Sequence, residues 1–166
     1  MARDWVLNAS PLILLGKAEL LKVIAPLADK WIVPNGVARE VSLKSPLDEF
    51  LGILTGGSHV LRIDVPEINS LVSGWDLGQG ESEVITVALS QPGTGAVLDD
   101  SQARKCAMVM DIHLIGSIGL IARAKRENLI SAAKPALQRL LSVGLYMDSK
   151  TLNQLLKALG ESPSRR

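Results

Sequence analysis

Aromatic residues are nearly missing from this chain: they make up 3% of its 166 residues, with one tyrosine and one phenylalanine. A core without rings must be built from Leu, Ile, Val and Ala, and a hydrophobic content of 47% supplies them. That balance suits a parallel α/β layer structure, whose strands are covered on both faces. Cysteine is as scarce. Cys106 stands alone, which excludes a disulfide framework or a cysteine zinc site. In the apolar-leaning stretch "QARKCAMVM" it reads as an inert core thiol, in keeping with a cytoplasmic setting. Excess charge is absent too: a net +1 leaves no global footprint for nucleic acid or membrane, so any basic surface must be local. No apolar run approaches the ~18 residues of a membrane span. The N-terminal apolar stretch meets Lys17 and Glu19 where a secretion signal needs small residues. The length suits one domain, placed at 1–160, with a flexible tail "ESPSRR" at 161–166.

Five short runs read as buried strands: "WVLN" (5–8), "WIVP" (31–34), "VLRIDV" (60–65), "AVLD" (96–99) and "IHLIG" (112–116). Helical patterns fill the intervals at 11–27, 36–44, 47–55, 67–73, 80–90 and 101–110, and three more follow at 117–127, 133–143 and 149–159. Pro and Gly punctuate the joints, and the alternation is that of βαβ units with right-handed crossovers.

Four stretches carry polar residues in apolar places. In "VLNASPL", Ser10 before Pro11 reads as a helix N-cap, and Asn8 closes a strand, where it could be a turn former or face a site. In "NGVAREVSL", Glu40 falls on the stripe of Val37 and Val41, either inward or as an edge residue paired with Arg39. In "GQGESEVITVALS", Glu81 aligns with Val84, Ile85 and Ala88, while Glu83 falls on the opposite, solvated face. A first-turn acid suits the helix dipole, but that does not explain a place on the buried stripe. In "VLDDSQARK", Asp100 or Ser101 suffices as a cap, which leaves Asp99 at the strand end to be explained.

In a parallel sheet, helices start at the carboxyl edge of the strands. If strands one and four are neighbours, Asn8, Glu40, Glu81 and Asp99 meet at a topological switch point, where open α/β sheets bind ligands. Clustered carboxylates take up protons or bind cations. Oxygen ligands without Cys or an HxxxH pair suit Mg²⁺ or Mn²⁺, and such ions activate water for phosphodiester hydrolysis. His59 and His113 are isolated and read as packing residues.

At this point the chain resembles the PIN domain, a metal-dependent ribonuclease fold, in its bacterial and archaeal nucleic-acid-binding branch related to VapC-like toxins. The stretches that carry the likeness are "VLNASPLILLGKAELL", "VPNGVAREV", "LGQGESEVITVAL", "VLDDSQARK", "IGSIGLIARAKRENLI" and "LLSVGLYM", in order along nearly the whole chain. The resemblance implies a three-layer α/β/α fold with a five-stranded parallel sheet in the order 3-2-1-4-5. It implies Mg²⁺- or Mn²⁺-dependent cleavage of single-stranded RNA, self-association as a homodimer and, in many relatives, the role of a toxin neutralised by a small antitoxin protein. It carries acidic, metal-binding positions to Glu40, Glu81 and Asp99 or Asp100, and site-rim positions to Ser10 and Ser117. The departure is Asn8, where the family's motif has a metal-ligating aspartate; an amide offers an oxygen without the charge.

Local basic residues that could meet RNA are Arg104 and Lys105 in "QARK", and Arg123, Lys125 and Arg126 in "ARAKRE". Two readings therefore stand side by side. One is a divalent-metal endoribonuclease with Asn8 as a neutral ligand. The other is a catalytically weak or inactive PIN-fold module that binds RNA or a partner. A nucleotide-binding Rossmann reading is weaker, because "GWDLGQGE" lacks GxGxxG spacing and no GxxxxGK[ST] occurs.

Overall fold

Val6 pairs in register with Ile32 on one side and Ala96 on the other, which puts the first strand in the middle of the sheet. A computed structural model describes residues 3–161. Its strands are β1 (Asp4–Leu7), β2 (Lys30–Pro34), β3 (His59–Ile63), β4 (Gly95–Val97) and β5 (Leu114–Ile115). They form one parallel five-stranded sheet in the order β3-β2-β1-β4-β5. The expected order is therefore observed, with strands one and four as neighbours.

The helices are α1 (Ala9–Lys17), α2 (Leu21–Ile24), α3 (Asn35–Ser42), α4 (Leu47–Thr55), α5 (Ser70–Ser73), α6 (Gln79–Ser90), α7 (Ser101–Val109), α8 (Ser117–Arg126), α9 (Lys134–Ser142) and α10 (Ser149–Ala158). α6 packs with α5 and α7, whereas α1, α2, α4 and α8 pack among themselves; α3 touches both α1 and α6. Helices cover both faces of the sheet, so its central strands are buried: Val6, Leu7, Ile32, Val33, Ala96 and Val97 have no exposure. Trp31, fully buried in the core, donates its indole N–H to the Ala25 carbonyl at 3.0 Å, so its polar atom is satisfied inside. No helix among the described residues is long and apolar enough to cross a membrane.

Several expectations shift. The helix read at 11–27 breaks into α1, α2 and a 3-10 turn at Ala25–Leu27. Glu19 takes a left-handed backbone (φ 58°), and the Leu20 N–H bonds back to the Leu15 carbonyl, a helix stop usually supplied by glycine. α1 also begins at Ala9, so Ser10 is not its N-cap; Asn8 holds that position without capping through its side chain. Of the run 67–73 only α5 is helical, and of 112–116 only Leu114–Ile115 is strand. His59 and His113 are exposed rather than packed. Cys106 is fully buried, as expected, and burial pushes its thiol pKa up. Glu161, read as the first residue of the tail, is tied down: its carboxylate accepts from the Ala133 and Lys134 N–H groups at 2.7 and 3.1 Å. The rest of that tail lies outside the described residues.

Candidate functional site

The polar break after β1 falls where the strand reaches the carboxyl edge of the sheet. The Asn8 N–H still pairs with the Val97 carbonyl at 3.2 Å, and its own carbonyl receives the first helical bond, from Leu12. Its backbone thus serves sheet and helix, and its side chain is left over. The amide is 97% covered (3% exposed), yet its Oδ1 has no hydrogen-bond partner. An orphaned buried acceptor costs about 1–3 kcal/mol, so it calls for a reason.

The surroundings give one. Asn8 lines a cleft of about 420 Å³ together with Ser10, Arg39, Glu40, Gly80 and Glu81. Glu40 arrives on α3, one turn or so after β2, and Glu81 on the first turn of α6. A Cβ on Gly80 would stand 3.0 Å from Glu40 Oε2 and 3.6 Å from Asn8 Oδ1. The missing side chain at Gly80 therefore opens a cradle shared by a carboxylate and the unpaired amide oxygen. Glu40 is exposed at the margin of this cleft, without an ion pair to Arg39 among the described residues. Glu81 is half-buried and accepts a long hydrogen bond, 3.4 Å, from the Gly78 N–H. Burial pushes its carboxyl pKa above the usual range; the charges of Asp100 and, more weakly, Glu40 push the same way, against the Gly78 bond.

Asp99 and Asp100 separate. Asp100 Oδ2 caps α7, accepting from the Gln102 and Ala103 N–H groups at 3.1 and 3.0 Å, and its charge is felt by Glu81. Asp99 turns the other way: its two oxygens accept from the Ser117 N–H at 2.8 Å and the Ser117 hydroxyl at 2.6 Å. Ser117 is fully buried at the start of α8, so it is a donor inside the fold and not a rim residue, whereas Ser10 is exposed at the rim. Asp99 lines a second cleft, of about 480 Å³, with Arg104 and Tyr146.

Sequence phase misplaced one acid. Glu83 is not solvated: it is 1% exposed, and its carboxylate accepts from the Gly36 N–H at 3.0 Å and from Gln79 Nε2 at 2.9 Å. It fastens the first turn of α3 to α6, where the helix dipole favours a negative charge. A Cβ on Gly36 would collide with Glu83 Oε2, so a side chain there would have to displace the carboxylate from its place. The signal available was the nearly unbroken apolar run "VITVAL", which marks a helix buried nearly all round and so without a solvated face in its first turns.

The basic residues divide as well. Arg104 is at the carboxyl edge, with Nη1 donating to the Leu98 carbonyl at 2.8 Å, and Lys105 is exposed on α7. Arg123, Lys125 and Arg126 lie at the end of α8, about 10–15 Å along the helix from Ser117 at the site. Arg123 pairs with Glu127 at 2.6 Å and Lys125 with Glu161 at 3.7 Å. The cluster expected from "ARAKRE" is thus turned away from the acids and partly neutralised.

Among the described residues, no three His, Cys, Asp or Glu side chains gather as a metal cluster by themselves. The oxygen set at the first cleft is two glutamates completed by an amide, with Asp100 beside them. A hard divalent cation fits such oxygen-only donors, and the orphaned Asn8 Oδ1 and the open cradle at Gly80 fit it too.

A parallel α/β/α sheet in this order, with acids at its carboxyl edge, is a nuclease-type architecture. The chain belongs to the PIN-domain family, whose model matches residues 4–161; PIN domains generally use divalent metals. Among solved structures the chain is similar to a PilT N-terminus domain protein from the hyperthermophilic archaeon Sulfolobus solfataricus P2, with a TM-score of 0.50 and 18% identity over 73% of this chain and 92% of that one. No curated protein matches the sequence.

Proposed function

We propose that this protein is a divalent-metal-dependent endoribonuclease that cleaves single-stranded RNA at the first cleft. The observation that carries the proposal is Asn8 Oδ1, buried, unpaired and facing Glu40 across Gly80. Asn8, Glu40, Glu81 and Asp100 would hold Mg²⁺ or Mn²⁺. Such an ion, when bound, stabilises negative charge on a phosphodiester and acidifies water. A cation nearby would favour the ionised form of Glu81, which burial and two acids disfavour. Ser117 holds both Asp99 oxygens by hydrogen bonds, and Asp99 lines the second cleft and not the first. A toxin role against a small antitoxin, self-association as a homodimer and a cytoplasmic setting extend this proposal and rest on the sequence resemblance and composition.

Two observations favour a second reading, a weak or inactive module. The amide removes one charge from the donor set, and Asp99 is committed to Ser117. Cleavage of single-stranded RNA by the wild type, Asn8→Asp and Glu81→Gln in Mg²⁺ or Mn²⁺ separates the two. Wild-type cleavage abolished by Glu81→Gln supports the nuclease. Cleavage gained only in Asn8→Asp supports the degenerate module, and no cleavage by any of the three rules out the enzyme.

A further inference from the structure

The second cleft is built differently from the first, and neither the fold nor the proposed metal site accounts for it. It opens beside Asp99, with a floor of the half-buried Ile115, Ile118 and Leu145. Gly116 and Gly119 keep its wall free of side chains. A Cβ on Gly116 would meet Asp99 Oδ1 at 2.8 Å and Arg104 Nη1 at 3.0 Å, and one on Gly119 would meet Ile115 at 2.7 Å. At the mouth stands Tyr146, the only tyrosine of an aromatic-poor chain, 89% exposed. Tyrosine normally buries much of its ring, so leaving it out in solvent forfeits packing. Arg104 is the cation of this cleft. One of its nitrogens is fixed by the Leu98 carbonyl, and it makes no ion pair with a carboxylate among the described residues, which leaves the other donors of the fork available.

Half-buried apolar side chains, a displayed ring and a guanidinium held at one nitrogen together match a nucleotide: a π-face for a base and a fork for a phosphate. Asp99 follows β4 and lines this cleft, and Asn8 follows the neighbouring β1 and lines the first, so the two clefts adjoin along the carboxyl edge. A strand engaged at the first would continue into the second. We infer that the second cleft is a nucleotide subsite, in which a base of single-stranded RNA next to the cleaved phosphodiester stacks on Tyr146 and its phosphate is held by Arg104. The inference rests on the RNA reading above. The subsite selects unpaired RNA, since a base inside a duplex has no free face to stack.

The test is fluorescence anisotropy of a short labelled single-stranded RNA with wild-type protein in EDTA, alongside cleavage in Mn²⁺. Tyr146→Ala is expected to weaken binding roughly tenfold, and Tyr146→Trp to retain it, with unchanged melting temperatures because the ring is exposed. Arg104→Gln is expected to weaken binding and lower the salt slope by about one. An RNA with abasic positions should bind wild type and Tyr146→Ala alike. Weakened binding by Tyr146→Ala without wild-type cleavage in Mn²⁺ supports the subsite and overturns the nuclease. Equal affinity of Tyr146→Ala and wild type, with wild-type cleavage intact, overturns the subsite and leaves the nuclease standing. Absence of any RNA binding overturns both.

Discussion

The two clefts along the carboxyl edge solve opposite problems. In the first, Glu40 and Glu81 share a small space with an unpaired amide oxygen, and burial and the acid neighbours push the Glu81 carboxyl pKa up. In the second, Asp99 is fully occupied by Ser117, and Arg104 is the charge that faces solvent. One side is electrostatically strained by acids that push against Glu81; the other has its acid satisfied and offers a guanidinium. The contrast teaches that acids in sequence proximity need not share a task. Asp99 and Asp100 are adjacent in the chain, yet one buttresses the second cleft and the other adds to the field of the first.

The largest expected effect comes from relieving the strained side. Glu81→Gln should reduce RNA cleavage by roughly 100-fold or more, as loss of a charge aimed at the reacting centre commonly does. The same change should stabilise the metal-free protein. A carboxyl whose folded-state pKa is raised binds its proton more tightly folded than unfolded, so its penalty is absent below the unfolded value, 4.5, and grows as pH rises through the folded one. Melting followed from acid to neutral pH should therefore show a gain for Glu81→Gln only toward neutrality. A loss of stability at neutral pH would break the comparison between the clefts.

Next comes the device that holds the first cleft open. Glu83→Ala removes the partner of a buried Gly36 N–H and uncouples the α3 terminus from α6, at an expected cost of about 2–3 kcal/mol and a fall in melting temperature of roughly 5–10 °C. Glu83→Gln keeps an acceptor for Gly36 and should recover most of that loss. Because Glu40 and Glu81 sit on the two helices that Glu83 joins, Mn²⁺ affinity should fall in the alanine variant and return in the glutamine one. A smaller effect is expected at Asn8. Asn8→Asp restores a charge beside Glu40, so it should tighten Mn²⁺ binding by about tenfold in calorimetry and lower the stability of the metal-free protein.

The fold was almost wholly legible because its signals are local and redundant: buried runs such as "WIVP" and "AVL" leave little choice of element, and the helices between them fix a parallel sheet. The edge shared by Asn8, Glu40, Glu81 and the Asp99–Asp100 pair followed from that topology. What did not follow was side-chain direction. Glu83 was misplaced because phase assumes a helix with a wet face, and α6 packs against both the sheet and α3. Ser10 was misread as a cap because Asn8 spends its backbone on both strand and helix. Ser117 as a buried donor, and the choice of Asp99 over Asp100, are long-range pairings across 18 residues that no local pattern contains.

The smallest expected effect bounds the RNA surface. If RNA follows the two clefts, charge at the far end of α8 is irrelevant to it. Arg123 is already paired with Glu127, and Lys125 with Glu161. Arg126→Ala should leave RNA affinity within about twofold of wild type and the salt slope unchanged, whereas Arg104→Gln changes both. Arg123→Ala should cost at most about 0.5 kcal/mol, the usual worth of a surface pair one turn apart. The acid limb of stability belongs to this end as well. Burial raises the Glu161 carboxyl pKa, but the hydrogen bonds from Ala133 and Lys134 and the charge of Lys125 outweigh it, so the net direction is down. A depressed carboxyl stabilises above its unfolded value and loses that contribution as pH falls through the folded one. Acid should therefore loosen Glu161 from α9 at a pH below the range in which protonation relieves Glu81. Amide exchange at Ala133 and Lys134 rising below about pH 4.5, with no matching rise at Gly80, would show the two ends titrating in opposite senses; parallel behaviour would remove the electrostatic distinction between them.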